Sequence, residues 1–319
     1  MPELPEVQTT VTGLNRTIAG LHITDVWTDY NSPYFAGSKT IKDPVYFKQF
    51  KKEVLGRKVI SVTRRAKNIL IHLESSQKKE AVSTILIHMK MTGHIIIGRY
   101  VFDGKKKKDP WTPAPNERKA LHDPFNRFIH FVITFSNKKQ LVLSDMRKFG
   151  KVALINDSEH LKDLGPEPLD TSFTYTLFKE RLNKKTVGKI KTVLMDQSII
   201  SGVGNIYSDE ALWRAGIHPE ERVKNISDEL LKKLYTATQA VLEKGIDFGG
   251  DSMSDYRNID GERGKFQEQH QAYRKTGKPC LKKIDGKICT GIIQRKVVGG
   301  RSAHFCTVHQ RLQTVNAKN

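Results

Sequence analysis

The chain has 319 residues, enough for two domains with cores of their own, and no apolar run reaches the length needed to cross a bilayer. Its 54 Lys and Arg outnumber 34 Asp and Glu, and a net charge of +20 excludes indifference to polyanions. Nucleic acid is the leading partner, because neutralising phosphates releases counterions; an anionic membrane is the weaker alternative, since no basic amphipathic anchor is evident.

The first ten residues carry two glutamates and no basic residue, so no secretory signal opens the chain and a cytoplasmic location is expected. Pro2 follows Met1. Once the initiator methionine is removed, the terminal nitrogen is a secondary amine, which forms an iminium ion with an aldehyde-level carbon and keeps a fixed positive charge there as an electron sink. Pro-Glu-x-Pro-Glu also suits an ordinary helix start. Val7, Val11, Leu14 and Ile18 predict one helix over 3–19, ended by Gly20.

Eight β-type runs follow, at Ile23–Trp27, Lys58–Arg64, Ile69–Glu74, Ser83–Met89, Gly93–Tyr100, Arg127–Ser136, Gln140–Ser144 and Lys151–Ile155. Many strands after one helix predict a β-sandwich. Asp103–Asn126, with Lys105–Lys108 and prolines at 110, 113 and 115, reads as a solvated insertion. Leu164–Leu169 reads as a linker. Helical patterns then cover Tyr175–Leu182, Val187–Asp196, Tyr207–Ala215 and Asp228–Lys244, before a long loop at Gly249–Gly264 and a tail, Ala272–Gln313, of two short strands bracketed by cysteines.

The tail reads Cys280-x8-Cys289-x16-Cys306-x2-His309. An odd cysteine count in a cytoplasmic chain points to a metal site with another ligand, and three thiolates with an imidazole suit one structural, tetrahedral zinc. His304 and His270 are rival fourth ligands, and Gly299-Gly300 suits a hairpin turn. Gly202-Val203-Gly204 lies between helices with Asn205 as N-cap, either a phosphate-binding corner or a plain helix–turn–helix bend. It lacks the strand and third glycine of a dinucleotide fingerprint. Lys67, in the basic cluster Arg64–Asn68, is a solvated charge, a DNA contact or a proton carrier. Asp145–Gly150 mixes Arg147 with an aromatic, which suits insertion between bases or a packed loop.

Together these segments resemble the formamidopyrimidine-DNA glycosylases over nearly the whole chain. The resemblance rests on Met1–Val7, Arg64–Lys67, His88–Gly93, Asp145–Gly150, Leu164–Leu169, Gly202–Tyr207, Ala215–Pro219 and the cysteine tail. It implies an α+β multidomain fold: an N-terminal β-sandwich with its N-terminal helix (1–156), a linker (157–171), a helix–two-turn–helix domain (172–268) and a zinc-finger β-hairpin (269–313). It implies a monomer that binds damaged double-stranded DNA at the nucleoid, flips out an oxidised purine and cleaves the strand. By the same resemblance Pro2 is the nucleophile at the sugar C1′ and Glu3 the acid on the ring oxygen. Lys67 and Arg301 serve β- and δ-elimination. Met91, Arg147 and Phe149 fill the void, Arg147 opposite the orphaned cytosine. His130, Lys191 and Asn205 contact DNA, and Glu6 is a carboxylate near the site.

Three departures stand out: His309 where the family usually has Cys, a first cysteine pair wider than the usual x2, and the long Asp103–Asn126 segment. Two rival readings are an endonuclease VIII-like enzyme for oxidised pyrimidines and a DNA-binding protein that has lost catalysis. Leu4 and Gly249–Tyr256 favour the purine branch over the first, and intact Pro2, Glu3 and Lys67 oppose the second.

Overall fold

The computed structural model describes residues 1–74, 83–106, 108–155, 161–253 and 255–312. Lys107, Ser254, positions 156–160 at the expected domain edge and Gln313 lie outside the described residues. The chain forms two compact units, Met1–Lys162 with Phe248–Lys265, and Asp163–Asp247 with Phe266–Asn319.

The first unit contains two four-stranded antiparallel sheets. One runs β1 (Ile23–Thr28), β8 (Ile129–Phe135), β9 (Gln140–Ser144), β5 (His94–Gly98); the other runs β10 (Lys151–Ile155), β4 (Thr84–His88), β3 (Asn68–Leu73), β2 (Val59–Arg65). Alternate residues of each strand face a common core: Ile69, Ile71 and Leu73, Ile85 and Ile87, Phe131, Ile133 and Phe135, Leu141 and Leu143 are buried in one cluster. Helix α1 (Leu4–Ile18) adds Val7, Val11, Leu14 and Ile18 at helical spacing, and α2 (Pro44–Val54) adds Phe50 and Val54.

The insertion at 103–126 is not merely solvated. The expected strand Gly93–Tyr100 breaks at Arg99, whose N–H donates to Glu117 Oε1 at 2.8 Å. The chain continues as a hairpin, β6 (Tyr100–Phe102) with β7 (Trp111–Pro113). Leu121 is buried with Ile96, Ile129, Val132 and Val142, and Trp111 packs against that cluster. The insertion therefore covers the outer face of the β5–β8–β9 sheet. A Cβ at Gly98 would sit 2.5 Å from Leu121 Cδ1, so this close approach needs glycine.

The loop at 249–264, expected in the helical domain, belongs to the first unit. Ile259 joins the sandwich core and its carbonyl accepts the Ile97 N–H at 2.8 Å. The reason is apolar burial: Ile259 Cδ1 approaches to 2.7 Å of where a Cβ on Gly13 of α1 would lie.

The second unit holds α3 (Tyr175–Asn183), α4 (Ile190–Leu194), α5 (Asn205–Ala215) and α6 (Asp228–Asp247). The helix expected from Val187 starts only at Ile190, because Lys189 is extended and bridges to Arg222. Beyond α6 come two hairpins, β11 (Lys283–Ile284) with β12 (Lys287–Ile288), and β13 (Ile293–Val298) with β14 (Arg301–Cys306). Two strands were expected and four are present. The additional hairpin occupies the wide interval between Cys280 and Cys289.

Candidate active site and nucleic-acid surface

Glu3 is the N-cap of α1 and Glu6 its third residue, and the two form a capping box. Glu6 Oε2 accepts the Glu3 N–H at 2.7 Å, and Oε1 accepts the Asp251 N–H at 2.7 Å. One carboxylate thus joins the chain start to the loop that returns from far along the sequence. Gly250 makes this possible: its φ is +84°, and a Cβ there would lie 2.9 Å from Glu6 Cγ. Tyr256 Oη donates to Glu6 O at 3.0 Å, and burial pushes its phenol well above the ordinary range. Pro2, Glu3 and Glu6 are all buried. With Met1 in place the Pro2 nitrogen is an amide.

Ala66 and Lys67 form the tight turn between β2 and β3, closed by the Arg65–Asn68 pair, with Ala66 at φ 54°. Lys67 is buried. Arg64 Nε donates to Gln8 Oε1 of α1 at 2.9 Å and fixes the end of β2 against the helix that begins at Glu3. His88 pairs with Asn68 across the sheet. Burial, then the charges of Lys90 and Lys67, hold its imidazole down at about 3, and its Nδ1 accepts the Lys90 N–H at 2.9 Å.

The turn Asp145–Gly150 is held from three sides. Asp145 is fully buried and accepts from Thr92 Oγ1, from the Arg147 N–H at 3.3 Å and from the Gly150 N–H at 2.7 Å. Lys148 sits at φ 55°, and its carbonyl accepts from Lys42 Nζ at 2.7 Å. Its own Nζ reaches Asp29 Oδ2 at 2.8 Å. Arg147 and Phe149 project outward, the guanidinium 4.5 Å from the ring centroid. Met91, half-buried, lies next to Thr92 in the loop after β4. His130, expected at the DNA, is buried on β8 with Nδ1 2.9 Å from Asp29 Oδ2. Its place in the sheet turns it toward that carboxylate, and its visible role is support.

In the second unit, Gly204 is the N-cap of α5 and Asn205 the first helical residue, which corrects the expected N-cap at Asn205. Asn205 Nδ2 donates to Ser302 Oγ at 3.2 Å, while its Oδ1 is buried without a hydrogen-bond partner among the described residues. Lys191, expected at the DNA backbone, is fully buried and ion-paired with the equally buried Asp209. A lysine there has no surface to offer; it neutralises a carboxylate inside the domain. Asp209 Oδ2 also accepts from His304 N and faces His304 Nδ1, both at 2.9 Å, and His304 is not among the residues whose ligand atoms cluster. Arg301 is exposed and opens β14 just after the Gly299-Gly300 turn, both glycines having positive φ.

Cys280, Cys289, Cys306 and His309 place one ligand atom each within 4.8 Å of one another. The Cys289 and Cys306 sulfurs are 3.6 Å apart, and Cys280 Sγ lies 3.4 Å from His309 Nδ1. A tetrahedral ion with metal–sulfur bonds of about 2.3 Å requires sulfurs about 3.8 Å apart, so the set fits. His309 Nε2 donates to Trp213 O at 3.0 Å, which leaves Nδ1 as the lone pair facing the thiols. Burial lowers the imidazole's proton affinity, as a neutral ligand requires. Lys282 Nζ donates to the same carbonyl at 3.1 Å. His270, the other rival, packs between Phe266 and Tyr273 and is not in the group.

The structure thus gathers Pro2, Glu3, Glu6, Lys67, Met91, Arg147 and Phe149 in the first unit, and Asn205, Arg301 and the thiol–imidazole cluster in the second. Sequence reasoning assigned no site role to Asp29, Lys42, Thr92 or Asp251. Only Asp145 carried a local signal, since an Asp two residues before a turn N–H is a common Asx turn.

Residues 1–152 match the family model for the formamidopyrimidine-DNA glycosylase N-terminal domain, and residues 164–257 match that of its H2TH domain. The formamidopyrimidine-DNA glycosylase of Bacillus subtilis is 35% identical over 320 residues, covering 96% of this chain and 98% of that protein. The enzyme of Pelotomaculum thermopropionicum is 33% identical over 318 residues, covering 98% and 100%. Lactococcus lactis Fpg in complex with abasic-site DNA superimposes with a TM-score of 0.76 at 32% identity, over 97% of this chain and 99% of that one. A point mutant of Lactococcus lactis Fpg in complex with Fapy-dG DNA gives 0.77 at 32% identity, over 97% and 100%. Fold and site together define a DNA glycosylase of base excision repair. The chain belongs to the formamidopyrimidine-DNA glycosylase family. No helix among the described residues is long and apolar enough to cross a membrane.

Proposed function

We propose that the chain, once Met1 is removed, works as a monomer on chromosomal DNA in the cytoplasm and removes oxidised purines, 8-oxoguanine and formamidopyrimidines, with Pro2 as nucleophile and strand cleavage to follow. The observation that carries this reading is the buried Pro2-Glu3 terminus, fixed through Glu6 to Asp251. The likeness to proteins solved with abasic-site and Fapy-dG DNA supports the substrate class.

A free α-amine titrates at roughly 8, so a useful fraction of Pro2 is neutral near pH 7. Its nitrogen attacks C1′ of the flipped nucleotide, and the bond from C1′ to the base breaks. Glu3 protonates the ring oxygen, the sugar opens, and C1′ becomes an iminium ion. Loss of a C2′ proton to the site then expels the 3′ phosphate, with Lys67 supplying the proton that step needs. Arg301 serves the second elimination and holds phosphate. Met91, Arg147 and Phe149 occupy the emptied stack, Arg147 facing the unpaired cytosine. Asn205 contacts phosphate through the start of α5. Cys280, Cys289, Cys306 and His309 hold one zinc ion, which cross-links a hairpin too small for a core of its own.

Borohydride reduction of the iminium in the presence of 8-oxoguanine DNA tests the reading. A covalent protein–DNA band is expected with correctly processed protein and absent when an N-terminal extension blocks Pro2. A processed chain that gives no band overturns it.

A further inference from the structure

The turn that presents Arg147 and Phe149 is held by the buried Asp145 carboxylate and by the part-exposed ion pair of Lys148 with Asp29. Lys148, between them, adopts φ 55°, a left-handed conformation that a lysine adopts at a cost of about 1 kcal/mol or more. Such a conformation persists only where the surroundings over-determine it. Here the Asp145 carboxylate accepts two backbone N–H groups of the turn, and the Lys148 carbonyl accepts from Lys42. The Lys148 ammonium is pinned to Asp29, which His130 holds from the other side at 2.9 Å. Thr92 donates to Asp145 as well, so one carboxylate ties the loop after β4, with Met91 beside Thr92, to the turn bearing Arg147 and Phe149.

We propose that Asp145 and Asp29 are positioning residues for the base opposite the lesion: they fix Lys148 in its left-handed conformation, and so set the angle at which Arg147 meets the unpaired base. This rests on the void-filling role of Arg147 given above. Arg147 and Lys148 are adjacent, so a relaxation of Lys148 toward negative φ re-aims the Arg147 side chain. A guanidinium reads a base edge only when its donors are aligned, and that alignment is what separates cytosine from a wrong base. Asp145 controls the turn's start and end, and Asp29 its middle. His130 acts one step further back, by orienting Asp29.

The test compares Asp29→Asn and Asp145→Asn with the unaltered full-length chain on three duplexes: 8-oxoguanine opposite cytosine, 8-oxoguanine opposite adenine, and a preformed abasic site. Single-turnover rates are measured on each. Asp29→Asn should lower the cytosine-over-adenine preference by about two- to fivefold, the factor a part-exposed ion pair supplies, and leave abasic-site cleavage unchanged. Asp145→Asn should lower the preference by about tenfold, the factor expected of hydrogen bonds to a buried charge. A preference that survives in both variants overturns the proposal. So does a parallel fall of all three rates in both, because that reports a general loss of fold. If the unaltered chain excises from neither 8-oxoguanine duplex, the functional reading fails and takes the proposal with it; if it excises with preference and the variants keep that preference, the proposal alone fails.

Discussion

Glu6 and Asp251 lie 245 residues apart in sequence and 2.7 Å apart in the fold, carboxylate oxygen to backbone N–H. The other Glu6 oxygen holds the N–H of Glu3. Glu6→Gln keeps one acceptor and turns an amide N–H₂ toward a donor, leaving one buried N–H unpaired. The expected destabilisation is about 1–3 kcal/mol, and excision should fall more than about tenfold because Glu3 loses its fixed position. Urea melts and single-turnover excision check the two effects separately.

Gly250→Ala attacks the same junction from the loop. It combines a left-handed backbone with a Cβ 2.9 Å from Glu6 Cγ. The variant should lose about 1–3 kcal/mol of stability and show the excision defect of Glu6→Gln with the Glu6 side chain intact. A Gly250→Ala enzyme with wild-type excision would show that the loop does not hold the proposed catalytic terminus.

The thiol–imidazole cluster predicts about one zinc per chain by metal analysis. His309→Ala should release the ion and lower the melting temperature, whereas His309→Cys should retain it, since a fourth thiolate completes the same tetrahedron. Metal content equal in wild type and His309→Ala would overturn the ligand assignment.

Two histidines, the half-buried His88 and the buried His94, set an acid limit on stability. Burial, with the charges of Lys90 and Lys67, holds His88 at about 3, and burial holds His94 at about 4 against the ordinary 6.5, its Nε2 bonded to Asn126 Oδ1. Their native pKa values are depressed, so the unfolded chain binds the protons first. Stability is fully present above about 6.5 and is lost as the pH falls from there toward 3–4. Each histidine contributes up to about 1.4 kcal/mol per pH unit in that window. Unfolding midpoints between pH 7.5 and 5 should therefore fall, and fall less steeply in His94→Gln.

Lys191 is a buried structural cation, and Arg301 is the exposed cation proposed to bind phosphate. Lys191→Met leaves the buried Asp209 without its lysine counter-ion and should cost about 3–5 kcal/mol, yet leave the dependence of DNA affinity on salt unchanged. Arg301→Ala should barely affect melting and reduce that salt slope by about one unit. The reverse pattern would place Lys191, and not Arg301, at the phosphates.

Local chemistry carried much of this into the sequence. Helix α1 showed its spacing through Val7, Val11, Leu14 and Ile18, the strands their β-branched runs, and the metal set its tight Cys306-x2-His309 pair. Asp145, through the N–H groups of Arg147 and Gly150, and Gly299-Gly300 are turn residues with local signals, although Asp145 also accepts from the remote Thr92. What stayed hidden depends on partners remote in sequence. Nothing near Lys148 announces Asp29 or Lys42, over a hundred residues earlier. Leu121 looked like part of a polar insertion until the outer face of β5, β8 and β9 gave it something to cover. Lys191 looked like a surface cation because its counter-ion is 18 residues on, across a helix–helix corner.

The return of Phe248–Lys265 to the sandwich has a consequence for synthesis. A ribosome that has delivered residue 162 has made every strand of both sheets, but not the segment that seats Ile259 beside Gly13 or the N–H that holds Glu6. At about 5–20 residues per second, roughly 5–20 s separate the two events. During that interval Glu6 lacks the Asp251 N–H and the sandwich core lacks Ile259. The Glu6 junction that fixes the Pro2-Glu3 start, the proposed nucleophile and acid, therefore closes only after the chain of α3 to α6 has been made.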